Sequence, residues 1–315
     1  MTTTHRLSIG STGAPVRRLE QELQQRGLFA GPVDGTFDAK TAAAVSAFEK
    51  SQGWTADGIV GERIWDRFDL GGPVETRAAK RDTTGFFNVM SLNVKSNPEM
   101  PQAKVVHDVR RAASKADIIG WQEIGPERYK HAIRDLKSKG FETFMPKGLQ
   151  TPISWRTGKF KMLDSGVKKM HDGLAGVSPH RQVAWVKLKN KETGEVFIQM
   201  NTHLVSGAWN SKKQPTDPWR QKMWRKHISQ MKDMVQHFEK QGFPVVITGD
   251  FNRNQFPVLG KQVRYDSGLH ANTHGRATLD YVMHTPDRHL RKVGTHVDNH
   301  FASDHNGVVV RYDLD

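Results

Sequence analysis

A chain of 315 residues, 36% hydrophobic and 25% charged, is long enough for two domains and apolar enough to bury a core. The absence of cysteine excludes a disulfide framework, a thiolate metal site and a cysteine nucleophile. The net charge of +14 is uneven: residues 1–75 carry 8 Lys+Arg against 10 Asp+Glu, and residues 76–315 carry 39 against 23. The excess of positive charge in the larger segment points to a polyanionic partner. No run approaches the ~18 apolar residues of a membrane helix. The opening MTTTHRLSIG shows no basic n-region followed by an apolar h-region, so no secretory signal is visible.

In chain order, APVRRLEQELQQRG places Val16, Leu19 and Leu23 at helical spacing and closes at Gly27. A Gly/Asp turn precedes a helix from about Asp38, with Ala44, Val45 and Phe48 facing inward and Gly53 ending it. ADGIVGERIWDRF repeats that logic with a third, short helix carrying Ile64 and Trp65. Residues 5–70 therefore read as a small three-helix binding module with too few converging acids or histidines for catalysis. The stretch 71–84, with Gly, Pro and mixed charge but no apolar period, reads as a linker, and residues 85–315 as a second domain.

That second domain is α/β (α+β). FFNVMSLNV and DIIGWQE read as strands separated by the helix PQAKVVHDVRRAASKA. A further helix is expected from Pro126 to Gly140. Strands follow at QVAWVKLK, EVFIQMNTHL, PVVITGDFN, TLDYVMH and NGVVVRYD. Between the second and third of these, a helix capped by Asp217 aligns Met223, His227, Met231, Met234 and Phe238 on one side.

Several of these strands end in polar groups. Asn93 ends SLN, Glu123 follows Gln122, His203 ends MNTH, and Asp250 and Asn252 end VVITGDFN. Asp280 opens LDYV, and Asp304 and His305 precede the last strand. As i and i+2 of one strand, Asp250 and Asn252 would share a face. So many carboxylates, amides and imidazoles at strand ends are best explained by one convergent site. Hard oxygen donors suit Mg²⁺ or Mn²⁺ rather than zinc; phosphodiester cleavage needs charge neutralisation, an activated water and relief for the leaving oxygen, which a metal, a carboxylate base and imidazoles can provide.

The order GSTGAPVRRLEQELQQRG, GPVDGTFDAKTAAAVSAFEKSQG, DGIVGERIW resembles the three-helix peptidoglycan-binding domain. The ordered set SLN, QE, THL, GDFN, LDY, SDH resembles the endonuclease/exonuclease/phosphatase superfamily, which implies the four-layer α/β sandwich of deoxyribonuclease I. The resemblance implies Asn93, Glu123 and Asp304 as metal ligands for Mg²⁺ (or Mn²⁺) and Asp250 as the group that orients or deprotonates water. It implies that Asn252 holds the water or phosphate, that Asp280 fixes the tautomer of His305 at the scissile phosphate, and that His203 is a candidate acid. Lys95 stands where the abasic-site endonuclease branch has an acid, which favours the deoxyribonuclease I-like branch; Arg181 is a second candidate phosphate contact. The expected function is a metal-dependent nuclease of low sequence specificity, monomeric, tethered to cell wall, acting on DNA or RNA. The alternatives are a phosphatase or phospholipase of the same fold, and a non-catalytic wall-binding protein. A bacterial envelope, extracellular or phage-associated setting fits the pairing, and the missing signal leaves the location open.

Overall fold

In the computed structural model the chain divides into two units, Met1–Asp82 and Thr83–Asp315. The described residues are 7–61, 64, 68, 85–95, 100–125, 127–209 and 217–315. The expected linker, Trp65 and Pro126 lie outside them.

In the first unit, α1 (Ala14–Gln25) and α2 (Ala39–Ser51) form where expected. Asp38 caps α2 by accepting from the backbone N–H of Lys40 and Thr41. Val16, Leu19, Leu23, Val45, Phe48, Ile64 and Phe68 pack into one core. Both Asp-Gly turns are pinned alike: Glu20 accepts from Gly35 N–H at 2.8 Å, and Glu49 from Gly58 N–H at 2.9 Å. Gly35 and Gly58 have φ of 79° and 68°, and a Cβ there would meet the carbonyls of Gly13 and Ala42. Burial raises both carboxyl pKa values above the usual range.

The second unit holds two six-stranded mixed sheets. Its strands are β1 (Phe86–Asn93), β2 (Ile118–Gln122), β3 (Phe141–Phe144), β4 (Ile153–Arg156), β5 (Phe160–His171) and β6 (Arg181–Asn190). They continue with β7 (Val196–His203), β8 (Val245–Asp250), β9 (Arg264–Tyr265), β10 (Asp280–His284), β11 (Leu290–Asp298) and β12 (Gly307–Leu314). The sheet orders are β11-β12-β1-β2-β4-β3 and β5-β6-β7-β8-β10-β9. Among the described residues only β1–β2 and β7–β8 run parallel, one pair at the heart of each sheet.

Helices α3 (Gln102–Lys115) and α4 (Glu127–Arg134) cover the first sheet, burying Val105, Val109 and Ile133 against Met90, Leu92 and Trp121. Helix α5 (Asp217–Lys240) covers the second, burying Met231, Val235 and Phe238 against Ile198, Val245 and Ile247. Between the sheets lie Phe87, Val89, Val186, Phe197, Val246, Val282 and Val310. Central strands are thus buried on both faces, which is why they read as apolar runs rather than alternating patterns. The result is the four-layer α/β sandwich.

Three details differ from expectation. Trp224 is the more deeply buried residue at the start of the α5 core stripe, with Met223 packed half-buried against the same core. The helix expected to reach Gly140 gives way at Asp135 to a 3₁₀ segment, which Gly140 caps in the left-handed conformation. The edge strands β3, β5, β9 and β11, and the short buried β4 beside β3, carry no expectation from the sequence.

Candidate active site

Register brings the polar strand ends together. Asn93 pairs with Gln122 across the parallel β1–β2 ladder, and His203 with Asp250 across β7–β8. Asp280, first residue of antiparallel β10, lies opposite Asp250. Carboxyl ends of both parallel pairs therefore open onto one floor, and the loop before β12 adds Asp304 and His305.

The side chains interlock. Asn93 Nδ2 donates to Asp250 Oδ2 at 3.0 Å and to Glu123 Oε1 at 3.3 Å, spanning the two sheets. His305 Nδ1 meets Asp280 Oδ2 at 2.8 Å. Ser303 Oγ donates to Asn93 O at 2.7 Å and accepts from His305 N–H, tying the last loop to β1. Donor atoms of Asp250, Asp280 and His305 lie within 4.8 Å of one another.

Asn252 reaches the site by another route than strand alternation. β8 ends at Asp250, and Asn252 has φ of 49°, because its own N–H turns back to Asp250 Oδ1 at 2.9 Å. This Asx turn replaces the next strand residue. It delivers Asn252 Nδ2 to His203 Nε2 and to Leu204 O, both at 3.2 Å. Of the five non-glycine residues with positive φ among the described residues, Lys95, Glu123 and Asn252 sit at this floor. Such conformations persist only where surrounding structure enforces them, and they concentrate at functional sites.

The environment separates the titrating groups. Burial, then the neighbouring Asp280 charge, pushes Asp250 up to about 7. Burial opposes charging of His305, but the Asp280 carboxylate, with Asp250 and Asp304 behind it, overrides this and carries it up to about 10. His203 is buried beside Arg181, and desolvation holds it well below its usual value, so it is neutral. The floor thus contains a carboxyl poised near neutrality beside a standing imidazolium, a separation that defines base and acid roles.

Lys95 Nζ sits 2.6 Å from Asp304 Oδ2. The two sequence candidates are therefore partners of each other. Burial would raise the Asp304 carboxyl, but Lys95 and the nearby histidines lower it. Arg181 is buried at the start of β6, its Nε without a hydrogen-bond partner, in a small cleft shared with Thr151 and His203. Sequence reading missed His274, whose ring lies 4.6 Å from that of His305 and 3.6 Å from Asp304. It also missed the buried pair His171 and His227, whose Nε2 and Nδ1 lack partners. No sequence signal marked His274, which precedes LDY in an irregular loop.

The donor chemistry fits a hard divalent cation: carboxylates, an amide oxygen and imidazoles, with no sulfur. Asp280 Oδ1 is buried without a hydrogen-bond partner, and a second converging group joins Asp304 to His274 and His305. No helix among the described residues is long and apolar enough to cross a membrane.

Comparison with known proteins adds the following. Residues 12–68 match the peptidoglycan binding domain family. A protein of Kitasatospora aureofaciens, described as uncharacterized in the bpoA1 3′ region, is 42% identical over 64 residues, covering 20% of this chain and 54% of that protein. The chain thus spans about half the length of that curated relative. Among solved structures, an endonuclease/exonuclease/phosphatase family protein from Bacteroides thetaiotaomicron superposes with TM-score 0.57 at 18% identity, over 73% of this chain and 98% of that one. The mannosyl-6-phosphatase of the same organism gives 0.55 at 18%, over 72% and 99%. D. rerio TDP2 complexed with single-strand DNA product gives 0.54 at 15%, over 73% and 99%. Residues 85–305 match the endonuclease/exonuclease/phosphatase family. With that match spanning most of the chain, and with the two-sheet sandwich and its strand-end floor, this protein belongs to the endonuclease/exonuclease/phosphatase family, whose members are generally phosphoric ester hydrolases.

Proposed function

We propose that the Thr83–Asp315 unit is a divalent-metal-dependent nuclease of low sequence preference, and that the first unit directs it to peptidoglycan. The observation that carries the catalytic reading is the convergence of Asp250, Asp280 and His305 at the strand ends, with Asp250 near neutrality and His305 cationic. The excess of 39 Lys+Arg over 23 Asp+Glu in residues 76–315 supports a nucleic-acid substrate, because duplex binding is largely phosphate neutralisation.

In this reading Asn93, Glu123 and Asp304 hold Mg²⁺ or Mn²⁺. Once bound, the ion supplies charge neutralisation on the phosphoryl oxygens. Asp250 accepts the proton of the attacking water, a role suited to a carboxyl poised near 7. Asn252, fixed by its Asx turn, holds that water or the phosphate. His305, its Nδ1 proton held by Asp280, presents Nε2–H to a phosphoryl oxygen. His203, neutral and in contact with Asn252, orients that amide and is a weak proton donor. Lys95 and Arg181 supply further positive charge toward phosphate.

Supercoiled plasmid tests the proposal. Nicking that requires Mg²⁺, stops in EDTA and disappears in Asp250→Ala is the expected result. Intact plasmid, combined with release of phosphate from a small phosphomonoester, would replace the nuclease reading with a phosphatase one. For the first unit, the full chain should co-sediment with purified sacculi while residues 83–315 alone stay in solution. Equal sedimentation of both would remove the tethering role.

A further inference from the structure

Beyond Asp250 the chain makes a second forced turn that the catalytic floor does not explain. Gln255, like Asn252, has a positive φ, 48°. The loop between is fastened on its inner side. Tyr281 Oη donates to Arg253 O at 2.8 Å, Phe256 N–H donates to Tyr281 Oη at 3.3 Å, and Thr278 N–H donates to Asn254 Oδ1 at 2.9 Å. A fastened, strained loop would ordinarily bury its one large apolar side chain. Here it holds Phe256 outward, 41% exposed.

The ring is not isolated. The Arg253 guanidinium lies 4.6 Å from the centre of Phe256 and 4.1 Å from the centre of Trp209. Arg225 lies 4.9 Å from Trp209. Trp224 backs the group, edge-on to Trp209 at 5.6 Å and to Phe256 at 6.5 Å. Its Nε1–H donates to Phe251 O at 2.8 Å, so the group is fastened to the residue following Asp250. Among the described residues, neither Arg225 nor Arg253 is paired with a carboxylate.

We infer that Phe256, with Arg253 and Trp209, is a nucleobase-stacking platform that seats a base of the substrate strand next to the phosphate being cleaved. This rests on the nucleic-acid reading above and adds to it a means of gripping unpaired bases. A flat aromatic face with a guanidinium behind it attracts the π-face of every base and a nearby phosphate as well, without choosing a sequence. Arg253 directly follows Asn252, so platform and floor share one rigid loop. Pre-setting the loop conformation lowers the ordering cost of binding, which is a use for strain that packing alone would not need. Two arginines without acidic partners favour a polyanion carrying bases over a neutral sugar.

The test is fluorescence anisotropy on the full chain in EDTA, with two short labelled strands of equal length and charge, one oligothymidylate and one abasic. The parent should bind the base-bearing strand about fivefold or more tightly than the abasic one, the range for one base on an aromatic ring. Phe256→Ala and Phe256→Leu should both bring that ratio close to one while leaving affinity for the abasic strand unchanged. A ratio preserved in Phe256→Ala, or absent in the parent, overturns the platform. A urea unfolding midpoint for Phe256→Ala equal to the parent's shows that the fold is intact, and hydrolysis of bis(p-nitrophenyl) phosphate by the parent reports on the floor without nucleic acid. Plasmid nicking together with equal binding of the base-bearing and abasic strands would sink the platform alone. A chain that hydrolyses the small diester but neither binds nor cuts nucleic acid would sink the nuclease reading as well.

Discussion

Replacing Asn201 with alanine should disable the joint between the two sheets just beneath the catalytic floor. Asn201 Nδ2 donates to Trp121 O at 2.7 Å and Pro152 O at 3.1 Å. Its Oδ1 accepts from Gln122 Nε2 at 2.8 Å and Thr248 Oγ1 at 3.0 Å. Both sheets are therefore bonded through one fully buried amide. The approach is close enough that a Cβ on Gly120 would overlap the Thr248 hydroxyl and come within 2.6 Å of Asn201 Oδ1. Four buried bonds at roughly 0.5–1.5 kcal/mol each give a loss of about 2–6 kcal/mol, because the freed partners have no water to turn to. Such a loss is a large fraction of a typical domain's ~5–15 kcal/mol. Urea unfolding followed by tryptophan fluorescence reads it, since all tryptophans but Trp54 and Trp65 lie in the larger unit. A loss below about 1 kcal/mol at unchanged slope would refute the claim that this amide joins the sheets. Because Gln122 adjoins Glu123, activity should fall with it at temperatures where the variant is still folded.

Acid should destabilise the larger unit through histidines that the fold keeps neutral, ahead of its ordinary carboxylates but not of the buried Asp250. Burial holds His171 down to about 4 and keeps His203 and His227 well below 6.5. Above 6.5 both folded and unfolded states are neutral at these sites. Below it the unfolded chain takes up protons that the fold excludes, so stability drops as pH falls from 6.5 toward 4. The slope is at most about 1.4 kcal/mol per pH unit for each such histidine. His227→Gln should flatten this acid limb; parallel limbs in variant and parent would count against the assignment. Arg111→Ala should impair turnover from a distance. Arg111 grips Asp298 through two bonds of 2.9 and 2.8 Å, and Asp108 on the same helix accepts from Ala302 N–H, so α3 clamps the loop carrying Asp304 and His305. A reduced kcat with little change in KM, partly rescued in Arg111→Lys, is expected; unchanged kcat would show that the loop needs no clamp.

Much of this is legible in the sequence. Helix α2 announces itself through Asp38 as cap and Gly53 as terminator, both acting through local backbone geometry. Central strands such as VVITGD are buried throughout because layers cover both faces, and open as apolar runs, so a polar group at their ends stands out in the string itself. That contrast made Asn93, Glu123, His203, Asp250, Asp280 and His305 visible as a set, and an order of motifs could be matched to a family. Edge strands were less visible: β5 exposes most of its twelve residues, and nothing in its composition separates it from a loop.

What only the tertiary structure decided is who meets whom. The register of β7 on β8 and of β8 on β10 places His203 and Asp280 on either side of Asp250, and no single segment encodes that distance. Lys95 and Asp304, 209 residues apart, read as separate contacts and turn out to hold each other. Asn252 arrives through an Asx turn rather than by strand alternation. His274 and Phe256 gain their meaning from loops packed against strands far away in the chain. The physical reason is common to all of them: secondary structure and burial follow from short-range periodicity, whereas a site is made by long-range pairing, whose partners and register are set only when the whole core closes.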